Sequence, residues 1–248
     1  MRAFKKIWIF IKGFIVLNLL WYIFAKAMDS RALPTPEKIY VNLPGLFKDG
    51  FYVHIFSSLY RLLVGLLIAF TIGTIVGLLM GYSKRANELL NPLIYFTYPI
   101  PKTALLPVVM TLYGLGDGSK IAIIVLIIVF QVIVSVRDSV INVGKENYSP
   151  LISLGASKLQ LFYHVTFPAI LSEILTNIRL SIGTAFSVLF FAEAYGTSKG
   201  LGYFIQDSWT RINYIDMYSG IVVLSILGLV LFMVIDFLES VLCRWKKI

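Results

Sequence analysis

Few side chains in this sequence have the types and spacing that chemistry needs. Its two histidines, His54 and His164, stand far apart and Cys243 is its one cysteine, which leaves no imidazole or thiolate metal cage and no internal disulfide to build. No His, Asp or Cys cluster has catalytic spacing. No G-x-x-x-x-G-K-[ST] phosphate loop occurs, and its nearest imitation, from Gly114 to Lys120, runs into Ile121. What remains is a set of charges inside apolar runs: Arg61, Lys102, Arg179 and Glu193. Ionisable groups in hydrocarbon are costly and mark function by default, with snorkelling or structural pairing as the alternative. Lys102 follows Pro101, where a cation would either attract an anionic solute or satisfy carbonyls that proline leaves free. No acidic pair sits mid-run to bind a coupling ion, as a secondary transporter would require.

A second polar island is "LGASKLQLFYHVTFPAI", residues 154–170. Ser157 with Gln160 three residues on is a capping-box pattern, whose reciprocal hydrogen bonds start a helix. Gly155 permits a sharp turn before it and Pro168 punctuates its end. Upstream, Ser149 and Pro150 predict a first short helix over residues 150–154. The expected unit is helix, turn, helix, with Leu159, Phe162 and Tyr163 on one face as an apolar knob. Such a face fits a partner's groove or a lipid surface.

The elements that must carry these residues are transmembrane helices. The chain has 248 residues, 58% hydrophobic and 14% charged, with mean hydropathy +0.83, too apolar for an ordinary soluble domain. Six stretches approach the roughly 20 apolar residues a crossing helix needs: 7–24, 56–80, 89–113, 121–136, 171–194 and 217–238. The fold class is therefore an all-α integral membrane protein with six transmembrane helices. The first stretch, with Lys12 inside it, reads as a retained helix rather than a cleaved signal. The net charge of +9 is assigned to topology and not to nucleic acid. With the N-terminus inside, both termini and the segment 137–168 are cytoplasmic, giving eleven Lys and Arg inside, seven outside (Lys120 among them) and four embedded. Residues 29–50, with Pro34, Pro36 and Pro44, read as an extracytoplasmic loop. Residues 1–54 thus form an N-terminal helix and loop, and residues 55–245 a core with its cytoplasmic loop at about 145–170.

The third stretch, "NPLIYFTYPIPKTALLPVV", holds four prolines. A helix broken at membrane depth is tolerated where protein or a watery cavity satisfies its carbonyls. Tyr98, Pro99, Pro101 and Lys102 are therefore candidates for the wall of a translocation path, a kinked and packed helix being the alternative. In the fifth stretch Thr176, Gly183 and Ser187 share one face, suited to close packing or to lining a path. Glu193, at that helix's end, joins the candidates. The aromatic stretch 200–218 suits an interfacial belt.

The spacing G-x9-V-x-F-P, Gly155 to Pro168, resembles the coupling-loop signature of permease subunits of ATP-binding-cassette importers. "SLYRLLVGLLIAFTIGTIVGLLMGYS" (58–83), "PIPKTALLPVVMTLYGLGDGSK" (99–120), "NIRLSIGTAFSVLFFAE" (177–193) and "GLGYFIQDS" (200–208) extend the resemblance to the nitrate, sulfonate, taurine and bicarbonate importer family. It covers about residues 55–245. Where that family has Glu-Ala-Ala, this chain has Ser149, Pro150 and Leu151, so a grip on a partner must rest on shape more than charge.

The resemblance implies a type I importer permease (MetI-like) fold with cytoplasmic coupling helices, a non-catalytic subunit of an inner-membrane importer. It implies two copies of a cytoplasmic ATP-binding subunit, which use ATP and Mg while this chain binds no cofactor. An extracytoplasmic solute-binding protein and a second permease copy complete the assembly. Gly155, Ala156, Ser157, Leu159, Phe162, Tyr163 and Pro168 would couple to the ATPase. The solute would be a small anion such as a sulfonate, taurine or nitrate, or else a heterocyclic vitamin precursor.

Overall fold

The computed structural model describes residues 2–97, 99–243 and 245, with side chains at residue 8 and from 11 onward. Among the described residues every regular element is helical: α1 (Arg2–Met28), α2 (Pro36–Lys48), α3 (Tyr52–Tyr82), α4 (Lys84–Thr97), α5 (Leu106–Tyr113), α6 (Asp117–Ile141), α7 (Lys145–Ser153), α8 (Lys158–Leu161), α9 (Phe167–Ala194), α10 (Leu201–Thr210) and α11 (Tyr214–Leu242). A short 3-10 turn, Lys102–Leu105, leads into α5, and a π-turn, Phe162–Thr166, joins α8 to α9. Helices α1, α3, α6, α11 and the α8–α9 unit are long and apolar enough to cross a membrane. Helices α4 and α5, bent by 82° at the proline cluster, make a sixth, broken span. The six-span, all-α architecture expected from composition is the one observed.

The centre of the fold is the packing of α3 on α6. Gly65, Ala69, Gly73, Gly77 and Gly81 recur every four residues on α3 and so form one strip along it. A β-carbon built on Gly65, Gly73, Gly77 or Gly81 would fall 2.6–2.8 Å from Ile124, Val132, Val136 or Val140 respectively. Each partner lies 59 positions further along the chain (124 − 65, 132 − 73, 136 − 77, 140 − 81), so the two helices run parallel in fixed register. Small residues permit this approach, which matters in lipid, where close dispersion contact rather than water exclusion drives helix association. Ile182, Ala185, Phe186 and Leu189 of α9 then close the core over Leu62, Leu66, Ile128 and Val132. Helices α1 and α11 are peripheral and turn Phe14, Leu17, Phe24, Val230 and Phe237 outward, as a hydrocarbon solvent favours.

Two expectations need correction. Residues 29–50 are not merely a loop, because they contain α2, where Pro36 occupies the first turn and costs no hydrogen bond. Ile39 and Leu46 are buried, and the Asn42 amide donates to Asp216 Oδ1 (2.7 Å) and Ser219 Oγ (3.2 Å) of α11. Lys120, read as an outer-loop cation, sits in the first turn of α6 and is wholly buried.

Gly77→Val tests the strip, since its β-carbon would meet Ile133 O, a backbone atom, at 2.8 Å. Overpacking of this kind costs about 1–3 kcal/mol. The variant is expected to unfold at a lower temperature in detergent than Gly45→Val, which meets no atom within 4 Å.

Candidate coupling and translocation site

The polar island at 154–170 begins with a turn built on left-handed glycine. Gly155 has φ +78°, its N–H bonds Ile152 O (2.9 Å), and the next N–H, of Ala156, bonds Leu151 O (3.0 Å). This Schellman arrangement ends α7 and reverses the chain. Ser157 then caps α8: its hydroxyl accepts from Gln160 N (3.4 Å) while Gln160 Oε1 accepts from Ser157 N (2.7 Å), the expected capping box. The helix before the turn is longer than residues 150–154. It starts at Lys145, because Gly144 breaks α6 from α7, and Pro150 stands inside it at the cost of one intrahelical hydrogen bond.

Pro168 does not end the second helix. The chain widens into the π-turn 162–166, with Phe167 N bonded to Phe162 O, and passes through Pro168 into α9 as one 37-residue unit. The wider turn accommodates a residue that lacks an N–H and crowds the carbonyl four positions back. Leu159 (65% exposed) and Tyr163 (58%) project from this unit beside Leu154 (87%) of the turn. Phe162 is turned the other way, half-buried, with ring centroids 6.4 Å from Tyr82 and 6.2 Å from Phe167. The exposed knob is therefore Leu154, Leu159 and Tyr163, while Phe162 seats it on the body.

A buried hydroxyl fastens the seat. Thr166 Oγ1 receives the Tyr82 hydroxyl from the end of α3 at 2.6 Å and shares a 2.9 Å hydrogen bond with the Tyr148 hydroxyl of α7. Helix α7 and the α8–α9 unit are thus tied to the end of α3 at one point. Further along the helix, Arg179 of α9 pairs with Asp236 and, at 2.7 Å, with Glu239 of α11. That places Arg179 in structural pairing.

Of the candidate path residues, Tyr98 lies outside the described residues. Pro99 and Pro101 are exposed at the bend. Lys102 is half-buried: its ammonium donates to Thr97 O (3.1 Å) and lies 5.3 Å above the Phe130 ring. It thereby satisfies a carbonyl freed at the helix break. On α9, Gly183 and Ser187 are exposed in line with Leu180 and Phe191, and Ser187 Oγ donates to Gly183 O (3.1 Å). Thr176 is half-buried and its hydroxyl bonds Ser172 O (3.0 Å). Val109 of α5 packs with Val188 and Ala192 of α9, so the broken span flanks the same part of that helix.

Glu193 belongs to a different environment, a buried knot at the far end of the fold. Its carboxylate takes Arg61 Nη1 (2.7 Å), the Ser58 hydroxyl (2.7 Å) and Gly202 N (2.9 Å). Arg61 also bonds Asp117 Oδ1 (2.7 Å) and Lys199 O (2.8 Å), and Lys120 donates to Leu115 O (2.5 Å) and Gly196 O (3.1 Å). Every nitrogen of Arg61 and the Lys120 ammonium has a partner, which is how charges persist in such surroundings. Lys120 was not among the embedded charges named from sequence. Its position after a Gly-rich stretch carries no hydropathy signal separating a buried lysine from an exposed one.

These features have relatives. Residues 69–247 match the model of the binding-protein-dependent transport system inner membrane component family. The chain belongs to this family of importer permeases. Formylaminopyrimidine transport permease protein ThiX of Halalkalibacterium halodurans is 29% identical over 235 residues, 94% of each chain. Taurine transport system permease protein TauC of Escherichia coli is 31% identical over 93% of this chain and 86% of the relative. Nitrate import permease protein NrtB of Synechocystis is 28% identical over 91% and 85%. The permease is thus a multi-pass membrane subunit of an ATP-binding-cassette importer, a family whose members work with an ATP-binding subunit and a solute-binding protein.

Thr166→Val keeps the shape of the seat and removes its hydrogen bonds. Leaving two tyrosine hydroxyls without this partner should cost about 1–3 kcal/mol, read as a lower unfolding temperature of the purified permease. Val165→Thr, on the half-buried neighbour, should leave that temperature close to the wild-type value.

Proposed function

We propose that two copies of this permease form the membrane path of an importer driven by two ATPase subunits, with both termini and α7–α8 on the cytoplasmic side. The observation that carries this reading is the continuity of α8, the π-turn and α9. The exposed knob at Leu159 and Tyr163 and the open strip at Gly183 and Ser187 lie on one uninterrupted helical unit. A push on the knob therefore displaces the strip, a rigid-body switch of the kind alternating access needs. Pro99, Pro101 and Lys102 belong to the broken span that packs on α9 through Val109, and Gly155, Ala156, Ser157 and Pro168 shape the knob's support. The permease hydrolyses nothing itself; ATP and Mg belong to the partner.

The solute is a small molecule of the range its relatives' names span: taurine, nitrate or a formylaminopyrimidine. The anionic reading rests on Lys102 at the bend. The heterocyclic reading is favoured by that ammonium's engagement with Thr97 O and Phe130.

Leu159→Asp should abolish co-purification of the ATPase while membrane insertion persists; retained association would move the contact elsewhere. Lys102→Ala separates the solute readings in uptake measured with radiolabelled taurine, nitrate and the pyrimidine. A selective loss of anion uptake of roughly tenfold, the effect of losing a charged hydrogen bond, supports the anion. Unchanged kinetics favour the heterocycle.

A further inference from the structure

Helix α10 lies on the face opposite the coupling helices and does not cap itself. Its first residues are held by side chains of other helices: Gly200 by His54 Nδ1 (3.2 Å from its N, 3.1 Å from its O), Leu201 N by Ser58 Oγ (2.8 Å) and Gly202 N by Glu193 Oε2 (2.9 Å). Two of these groups come from α3 and one from the last turn of α9. Glu193 is 1% exposed and is also the acceptor for Arg61, which continues to Asp117 of α6 and to Lys199 O in the 195–200 loop. One carboxylate thus joins α3, α6 and α9 to the start of α10. Buried Leu201, Ile205 and Ser208 hold the inner face of α10, while Trp209 and Thr210 at its far end are exposed.

We propose that Glu193 is a positioning residue: it fixes the orientation of α10, whose exposed end is part of the outer surface on which the solute-binding protein docks. This rests on the importer reading and on the orientation given above. Glu193 touches no solute in this role. It acts through Gly202 N and Arg61, holding α10 in line with the α9 lever whose other end carries the knob. A carboxylate is suited to this, because it accepts several hydrogen bonds at once and a helix N-terminus favours negative charge. Glycine at 202 lets the carboxylate reach the backbone: a β-carbon there would lie 2.6 Å from Phe190 O and 2.8 Å from Glu193 Cβ.

The test uses the assembled permease–ATPase complex in proteoliposomes with purified, solute-loaded binding protein. Glu193→Gln keeps the size and one acceptor but loses the charge facing Arg61. Hydrogen exchange over residues 195–210 is expected to quicken roughly tenfold, as for loss of one charged hydrogen bond. The binding-protein concentration that half-saturates ATP hydrolysis should rise several-fold, with the saturated rate within about twofold of wild type. Gly202→Ala should give the same split by a steric route, which covers the case in which the Gln variant does not accumulate. Faster exchange with unchanged half-saturation, or a fall in saturated rate alone, overturns the proposal. Wild-type complex that ignores the binding protein overturns the importer reading instead, and the exchange experiment still decides whether Glu193 holds α10.

Discussion

Everything in this permease is referred to one contact, the strip of small residues by which α3 lies against α6. In a hydrocarbon solvent two apolar helices gain little from burial as such, so their association depends on how closely the backbones approach. Four glycines and Ala69 permit that approach along about four and a half turns, and the valines and isoleucines facing them fill the groove. Helix α9 packs across this pair, α5 flanks both, and the coupling helices are pinned to the end of α3 through Tyr82. A shift of register between α3 and α6 would displace each of these attachments together.

The polar groups divide by their task. At one end Arg61, Glu193 and Asp117 join α3, α9 and α6 and, through Gly202 N, α10, with Lys120 bonded to Leu115 O and Gly196 O; midway along α9, Arg179 ties it to α11. These charges are held by protein partners and hold protein partners. The bend exposes Pro99 and Pro101, α9 exposes Gly183 and Ser187, and the knob exposes Leu154, Leu159 and Tyr163.

Much of this was legible in the sequence, for physical reasons that also mark the limits. Long apolar runs are unambiguous, so the six spans and the broken third were readable. The capping box at Ser157 and Gln160 and the turn at Gly155 are local and were read correctly. What escaped depends on distant or paired residues. Helix α2 was hidden because Pro36 and Pro44 read as loop residues, whereas its stability comes from Leu46 packing with Phe51, Leu201 and Val223. The pairing of Arg61 with Glu193 joins residues far apart in sequence, and spacing alone could not select the partner. Phe162 stands about 60° from Leu159 around the helix, and that was enough to place it against Tyr82 and Phe167 rather than on the exposed face. Pro168 was read as a stop because an α-helix cannot absorb it, while a π-turn can.

That π-turn also sets a phase. An α-helix advances about 100° per residue, so the one extra residue it accommodates offsets everything before it by nearly a third of a revolution from everything after it. Leu159 on α8 and the strip on α9 therefore stand at a relative azimuth that depends on the turn, like two cranks keyed to one shaft. Deleting His164 from the turn would leave Leu159, Phe162, Tyr163 and Thr166 all present. The knob would nonetheless face the wrong way.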